Sequence, residues 1–124
     1  MKGRVLSFRH AFAGVGYVFR TQPNARIHTV ITLLVVALGA WLGLGRLEWA
    51  MLWLAIGLVW ASEFMNTALE ALIDLASPQV HPLAKAGKDV AAAGVLLAAG
   101  AATVIGLLVL GPPLWARVFG GPFG

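Results

Sequence analysis

Three long stretches of the chain are dominated by apolar residues, and charged residues gather at their ends and between them. The first runs from about Ile27 to Gly45. Its roughly 19 residues make about 28 Å of helix, enough to cross the hydrocarbon core of a bilayer. The second runs from Glu48 to about Ala76, longer than a bilayer requires. Its last part, Glu63–Asp74, holds the charges, which predicts that this end projects into water. The third runs from Leu83 to about Leu110. Pro23 fixes its own φ and disfavours helix at Gln22, so a break is expected there, with Asn24 as a candidate cap for the next helix. Leu44-Gly45-Arg46-Leu47 is expected to turn, and Ser77–Pro82 to form a loop. Gly111-Pro112-Pro113 is expected to stop the third helix, leaving a short Gly/Pro-rich tail to Gly124. Before the first break, Phe8, Phe12, Val15 and Phe19 recur at i, i+4, i+7 and i+11 among Lys2, Arg4, Arg9 and Arg20. That pattern predicts a basic amphipathic helix lying in the membrane interface. It does not fit a secretory leader, because the apolar run begins only at Ile27 and has no convincing cleavage site. The expected fold is an all-α membrane protein of one domain, 1–124. It comprises an interfacial helix over 1–21 and transmembrane helices over 27–45, 48–76 and 83–110, assembled as a homo-oligomeric bundle.

Composition sharpens the picture. Of 124 residues, 60% are hydrophobic and 11% charged, and mean hydropathy is +0.86. A soluble domain is about 25% charged, so a soluble enzyme, a nucleic-acid-binding domain and a disordered tail are excluded. The net charge of +4 does not imply nucleic acid, because the basic residues flank apolar runs as topology signals do. Of nine Lys and Arg residues, only Arg46 and Arg117 lie on one side. Lys2, Arg4, Arg9, Arg20, Arg26, Lys85 and Lys88 lie on the other. The positive-inside rule then places the N-terminus and the Ser77–Pro82 loop in the cytoplasm and the C-terminus outside. Trp49, Trp53 and Trp115 suit an outer aromatic belt, whereas Trp41 and Trp60 are expected to pack. The chain has no Cys, so disulfides and thiolate metal sites are impossible. Gly39 and Gly43 form a GxxxG pair, and Gly94, Ala98, Ala102 and Gly106 form a ladder of small residues suited to close helix approach.

Four of the five acidic residues fall between positions 63 and 89. Glu63, Asn66, Glu70 and Asp74, spaced 3, 4 and 4, share one face of the second long helix, with Thr67 beside them. A carboxylate inside a membrane costs about 2.5–3.5 kcal/mol on insertion scales. Pairing with Lys85 and Lys88 at a solvated helix end explains Asp74 well. It explains Glu63 poorly, because Glu63 directly follows the apolar run Ala50–Ala61. Carboxylates with an amide oxygen suit Mg²⁺, a carboxylate at headgroup level can take a proton from an alcohol, and Lys88 and Arg9 can neutralise phosphate oxygens. Together these suit phosphoryl transfer from a soluble donor to a lipid alcohol. No P-loop, Rossmann or protein-kinase motif occurs, so a nucleotide site would be built from helix faces. A small ion- or proton-coupled transporter subunit is the rival reading, but the acids cluster at one membrane surface. A purely structural partner protein leaves their spacing unexplained.

At these residues the chain resembles a known family. Ala61–Asp74 (ASEFMNTALEALID) resembles the E-x-x-N-[ST]-A-[IL]-E-x-x-x-D signature of the prokaryotic diacylglycerol kinases. His81–Ala93 resembles their second signature, with Gly87 in place of Ala. The likeness extends to Ser7-Phe8 with Ala11 and Gly14, to Asn24–His28 and to Leu47-Glu48-Trp49, covering about residues 5–110. It implies a small homotrimeric lipid kinase using Mg²⁺-ATP, with composite sites between protomers on the cytoplasmic side. By the same resemblance Glu63 is the catalytic base and Glu70 the metal carboxylate, with Asn66 beside it. Arg9, His10, Gln79, Val80, His81, Lys88 and Asp89 lie around the nucleotide. Arg26 and Trp49 join Glu63 around the lipid. Gln22 stands where many members carry Glu, so it offers the metal a neutral oxygen, with Glu70, ATP phosphates, water or Asp89 supplying the rest. The stretches Asn24–His28, Leu47–Trp49 and His81–Lys85 look more like the branch acting on undecaprenol than the one acting on diacylglycerol.

Overall fold

A computed structural model of the chain describes residues 1–121. Four helices succeed one another: α1 (Lys2–Thr21), α2 (Pro23–Leu42), α3 (Arg46–Ala76) and α4 (Pro82–Phe119). The last three are long and apolar enough to span a membrane. No strand occurs among the described residues. Pro23 is the break the sequence predicts. Gln22 is extended (φ −112°, ψ 107°), and Pro23 opens α2 where its missing N–H costs nothing. The cap of α2 is therefore Gln22 and not Asn24, which lies inside the first turn.

Gly43, in the left-handed conformation (φ 68°), ends α2. One member of the expected GxxxG pair is thus a helix cap. The other, Gly39, makes room for Trp49, since a Cβ there would come within 2.9 Å of the indole. The turn falls at Gly43–Gly45, slightly earlier than predicted. The backbone N–H of Gly45 donates to Glu48 Oε2 at 2.7 Å and closes the start of α3.

The third span departs most from expectation. Gly111-Pro112-Pro113 does not stop α4, which continues to Phe119 and ends at Gly120 (φ 63°). Gly111 eases one of the constraints, because the clash Pro112 imposes on the preceding residue falls partly on a Cβ that glycine lacks; Pro113, which follows Pro112, has no such relief. Arg117 then reaches α2, donating to the Trp41 carbonyl at 3.0 Å with its guanidinium 4.8 Å from the Trp41 ring centroid. Trp41 therefore lies beside the end of α4 that carries Trp115, and not in interior packing as expected. Of the predicted tail, residues 122–124 lie outside the described part.

Helix α3 packs chiefly against α4, and α2 lies across both. At the end nearest the α2–α3 turn, Leu52, Val109 and Leu110 form the buried core, with Leu38, Leu42 and Trp49 against it. Among the described residues the N-terminal helix docks through its last turn. Val18 is buried and Phe19 stacks on Trp60 (centroids 5.7 Å apart), while Phe8 and Phe12 stay exposed, as an interfacial helix requires. The small-residue ladder splits in use: Ala98 is buried, and Ala102 and Gly106 line a cleft.

Candidate active site

Toward the loop end of α3 the interior turns polar. Glu63 is 2% exposed. It is carried there because α3 continues the register of its buried apolar positions Leu52, Ala55 and Val59 into Glu63, Asn66 and Thr67. One carboxylate oxygen, Oε1, lies 2.9 Å from Nε2 of His28 on α2, yet no donor is aligned on it as a hydrogen bond. One turn further, Asn66 Nδ2 donates to Glu70 Oε1 at 3.2 Å. The buried Asn66 Oδ1 has no partner among the described residues. The Thr67 hydroxyl donates to the backbone carbonyl of Glu63 at 2.9 Å and leaves the carboxylate alone.

Two hollows flank this strip. An apolar cleft of about 390 Å³ runs between α2, α3 and α4. His28, Thr32 and Trp60 line one part of it, Ala102 and Gly106 another, and Leu114 lies farthest along α4. The Trp60 N–H donates to the Thr32 hydroxyl at 3.1 Å and holds the indole in that wall. The second hollow, about 290 Å³, lies at the α3–α4 loop, where Asp74, Gln79, Val80, His81, Lys85 and Lys88 meet. His81 Nδ1 accepts the Leu83 N–H at 3.1 Å and caps α4. Lys88 pairs with Asp74 across the two helices, and Lys85 pairs with Asp89 at 2.6 Å along α4.

The model of the family described as prokaryotic diacylglycerol kinase matches residues 9–110. The chain belongs to this family. Among relatives of this kinase family, a diacylglycerol kinase of Synechocystis is 48% identical over 89% of this chain and 63% of its own length. An undecaprenol kinase of Bacillus subtilis is 39% identical over 87% of this chain and 88% of its own. The diacylglycerol kinase of Escherichia coli K12 is 27% identical over 82% and 83%. The chain thus spans a little under two thirds of the Synechocystis protein and most of the other two.

Among the residues marked out in the sequence, Glu63, Asn66 and Glu70 form one strip, and Gln79, Val80, His81 and Lys88 share the loop hollow. Others stay apart within this single chain. Arg9 and His10 are exposed on the first half of α1, with no ion pair or hydrogen bond to the strip among the described residues. Gln22 is half-buried at the α1–α2 break, and its side chain makes no hydrogen bond to α3 among the described residues. Arg26 is exposed on the first turn of α2. Asp89 is exposed and engaged with Lys85. Trp49 lies about 21 Å from Glu63 along α3, counted at 1.5 Å per residue, and packs on Gly39. In the sequence His28 enters only within the Asn24–His28 stretch of the family likeness, with no part in the site; its partner on α3 could not be read from that stretch.

Proposed function

We propose that the chain transfers the γ-phosphoryl group of ATP to a membrane lipid alcohol, undecaprenol foremost. The observation that carries this is a fully buried carboxylate, Glu63, with an oxygen lacking an aligned donor. It touches His28 at the wall of an apolar cleft. The prenyl chain of undecaprenol or an acyl chain of a diacylglycerol can lie in such a cleft and bring the lipid's alcohol, at the prenyl terminus or on the glycerol, toward Glu63. The hydroxyl proton passes to the Glu63 carboxylate. The alcohol oxygen forms a bond to the γ-phosphorus in line, and the bond to the bridging oxygen breaks, releasing ADP with the electron pair. Lys88, at the loop hollow, would offset phosphate charge together with the α4 N-terminus capped by His81. The charge asymmetry along the chain supports a cytoplasmic site, where ATP is present.

The donor set fits Mg²⁺. Glu70 offers a carboxylate, and the unpartnered Asn66 Oδ1 beside it is a neutral oxygen of the kind that ion takes. Among the described residues no three His, Cys, Asp or Glu side chains converge. Phosphates and water would therefore complete the shell, with Gln22 a further oxygen if α1 of a neighbouring protomer closes over it. When bound, the ion supplies charge neutralisation at the phosphates. A homotrimer with sites between protomers accounts for Arg9 and His10 standing away from the strip of their own chain.

The test is phosphate transfer from labelled ATP in detergent, with undecaprenol and diacylglycerol offered separately and together. Preferential labelling of undecaprenol supports the proposal, as the Bacillus relative's name suggests. Preferential labelling of diacylglycerol would move the chain to the substrate named for the Synechocystis relative. No transfer to either would remove the kinase reading.

A further inference from the structure

Glu63 is the least accessible acid in the chain, and its own helix does not hold it. The polar side chains around it on α3 are all committed elsewhere. The Ser62 hydroxyl donates to the Val59 carbonyl at 2.8 Å, the Asn66 amide to Glu70, and the Thr67 hydroxyl to the backbone of Glu63. A buried carboxylate without donors is costly and free to rotate away from a productive geometry. Among the described residues the one side chain that reaches it comes from another helix: His28 Nε2, 2.9 Å from Oε1. The imidazole rests against an indole that is itself held in place. Trp60 meets it edge-on with centroids 6.3 Å apart. Phe19 and Phe64 flank that indole, and Thr32 accepts from its N–H. The terminal torsion of a His side chain is broad, so a small rotation of the ring aligns an N–H on Oε1.

We propose that His28 is the positioning residue of the catalytic base. Donating from Nε2, it holds the Glu63 carboxylate behind the cleft wall that His28 itself forms, with the second oxygen left for the substrate hydroxyl. This rests on Glu63 acting as the base. His28 also lines the cleft, so a lipid entering there packs on the ring that orients Glu63. The polar groups next to the pair are neutral: Trp60 against the imidazole, with Thr32 bound to its indole, and Asn66 and Thr67 following Glu63 among the buried positions of α3.

The experiment uses the full chain in detergent with labelled ATP and undecaprenol, comparing His28→Ala, His28→Gln, Glu63→Gln and the double variant His28→Ala/Glu63→Gln. Loss of a hydrogen bond to a charged group predicts that His28→Ala lowers kcat about 10–100-fold with the KM for ATP unchanged. His28→Gln, which keeps an N–H donor, restores most of that loss. In the Glu63→Gln background His28→Ala adds no more than about twofold, because the two act as one unit. Three results would overturn the proposal while leaving Glu63 as the base: wild-type kcat in His28→Ala beside an impaired Glu63→Gln, no recovery in His28→Gln, or losses that multiply in the double variant. Near-wild-type activity in Glu63→Gln would instead remove the base assignment and this inference with it.

Discussion

At the scale of single residues, Glu63 and Lys88 are expected to affect different kinetic constants, kcat and the KM for ATP, with little loss of stability in either case. Glu63→Gln keeps the shape and removes the proton acceptor, so kcat is expected to fall about 10²–10⁴-fold. Its thermal unfolding is expected to hold or rise, because a buried carboxylate with no aligned donor is replaced by a neutral amide. Scanning fluorimetry beside the kinase assay checks both halves, and a variant of near-full activity removes Glu63 from the chemistry. Lys88 is partly exposed and pairs with Asp74. A solvent-accessible pair contributes little to stability, so Lys88→Ala should barely move the unfolding midpoint. If Lys88 serves the nucleotide, the same variant raises the KM for ATP while the KM for lipid stays constant. An unchanged KM would return Lys88 to the purely structural role its pairing with Asp74 also fits.

At the scale of elements, two glycines are predicted to respond in opposite ways to the same added methyl group. Gly39 faces the rigid indole of Trp49, where a Cβ would sit 2.9 Å from the ring. Gly39→Ala must push α2 from α3 and should destabilise by about 1–3 kcal/mol. Gly87 faces Cδ1 of Ile73 at 3.1 Å, the movable tip of a flexible chain. Gly87→Ala restores the residue of the family signature and removes a helix-interior glycine worth about 0.8–1 kcal/mol. It is expected to be neutral to mildly stabilising. Unfolding curves of the two variants in the same detergent check the contrast; equal effects would mean that the two contacts are no different in stiffness.

For the whole molecule, the outward face matters most. Leu33, Leu34, Leu54, Leu96, Leu97, Leu107 and Leu108 are among many large apolar side chains left exposed by the single chain. In water this would be untenable, and in a bilayer lipid or a neighbouring protomer covers it. Orientation is testable because the chain has no cysteine of its own. With a membrane-impermeant maleimide, Gln79→Cys is expected to label only from the cytoplasmic face and Arg46→Cys only from the opposite face. The reverse pattern would put the loop hollow where ATP is absent.

The division between sequence and tertiary structure reflects the range of the forces involved. Helix class, the number of spans, the break at Pro23 and the alignment of Glu63, Asn66 and Glu70 are local properties. They depend on hydropathy over about 20 residues, a fixed proline φ and a 3.6-residue period, so the linear chain contains them. The family signature lies on one helix and is legible for the same reason. The fate of Pro112-Pro113 was not legible from the neighbouring residues: α4 runs on past them to Arg117, whose partner Trp41 lies on another helix. The meeting of His28 and Glu63, 35 positions apart, depends on how α2 lies across α3. The cleft depends on how three helices fail to fill the space between them. The pairing of Lys88 with Asp74 was likewise open until α3 and α4 were side by side, whereas that of Lys85 with Asp89, four residues apart on α4, is local. Periodicity assigns residues to a face of a helix; only packing decides which residue of another helix that face meets.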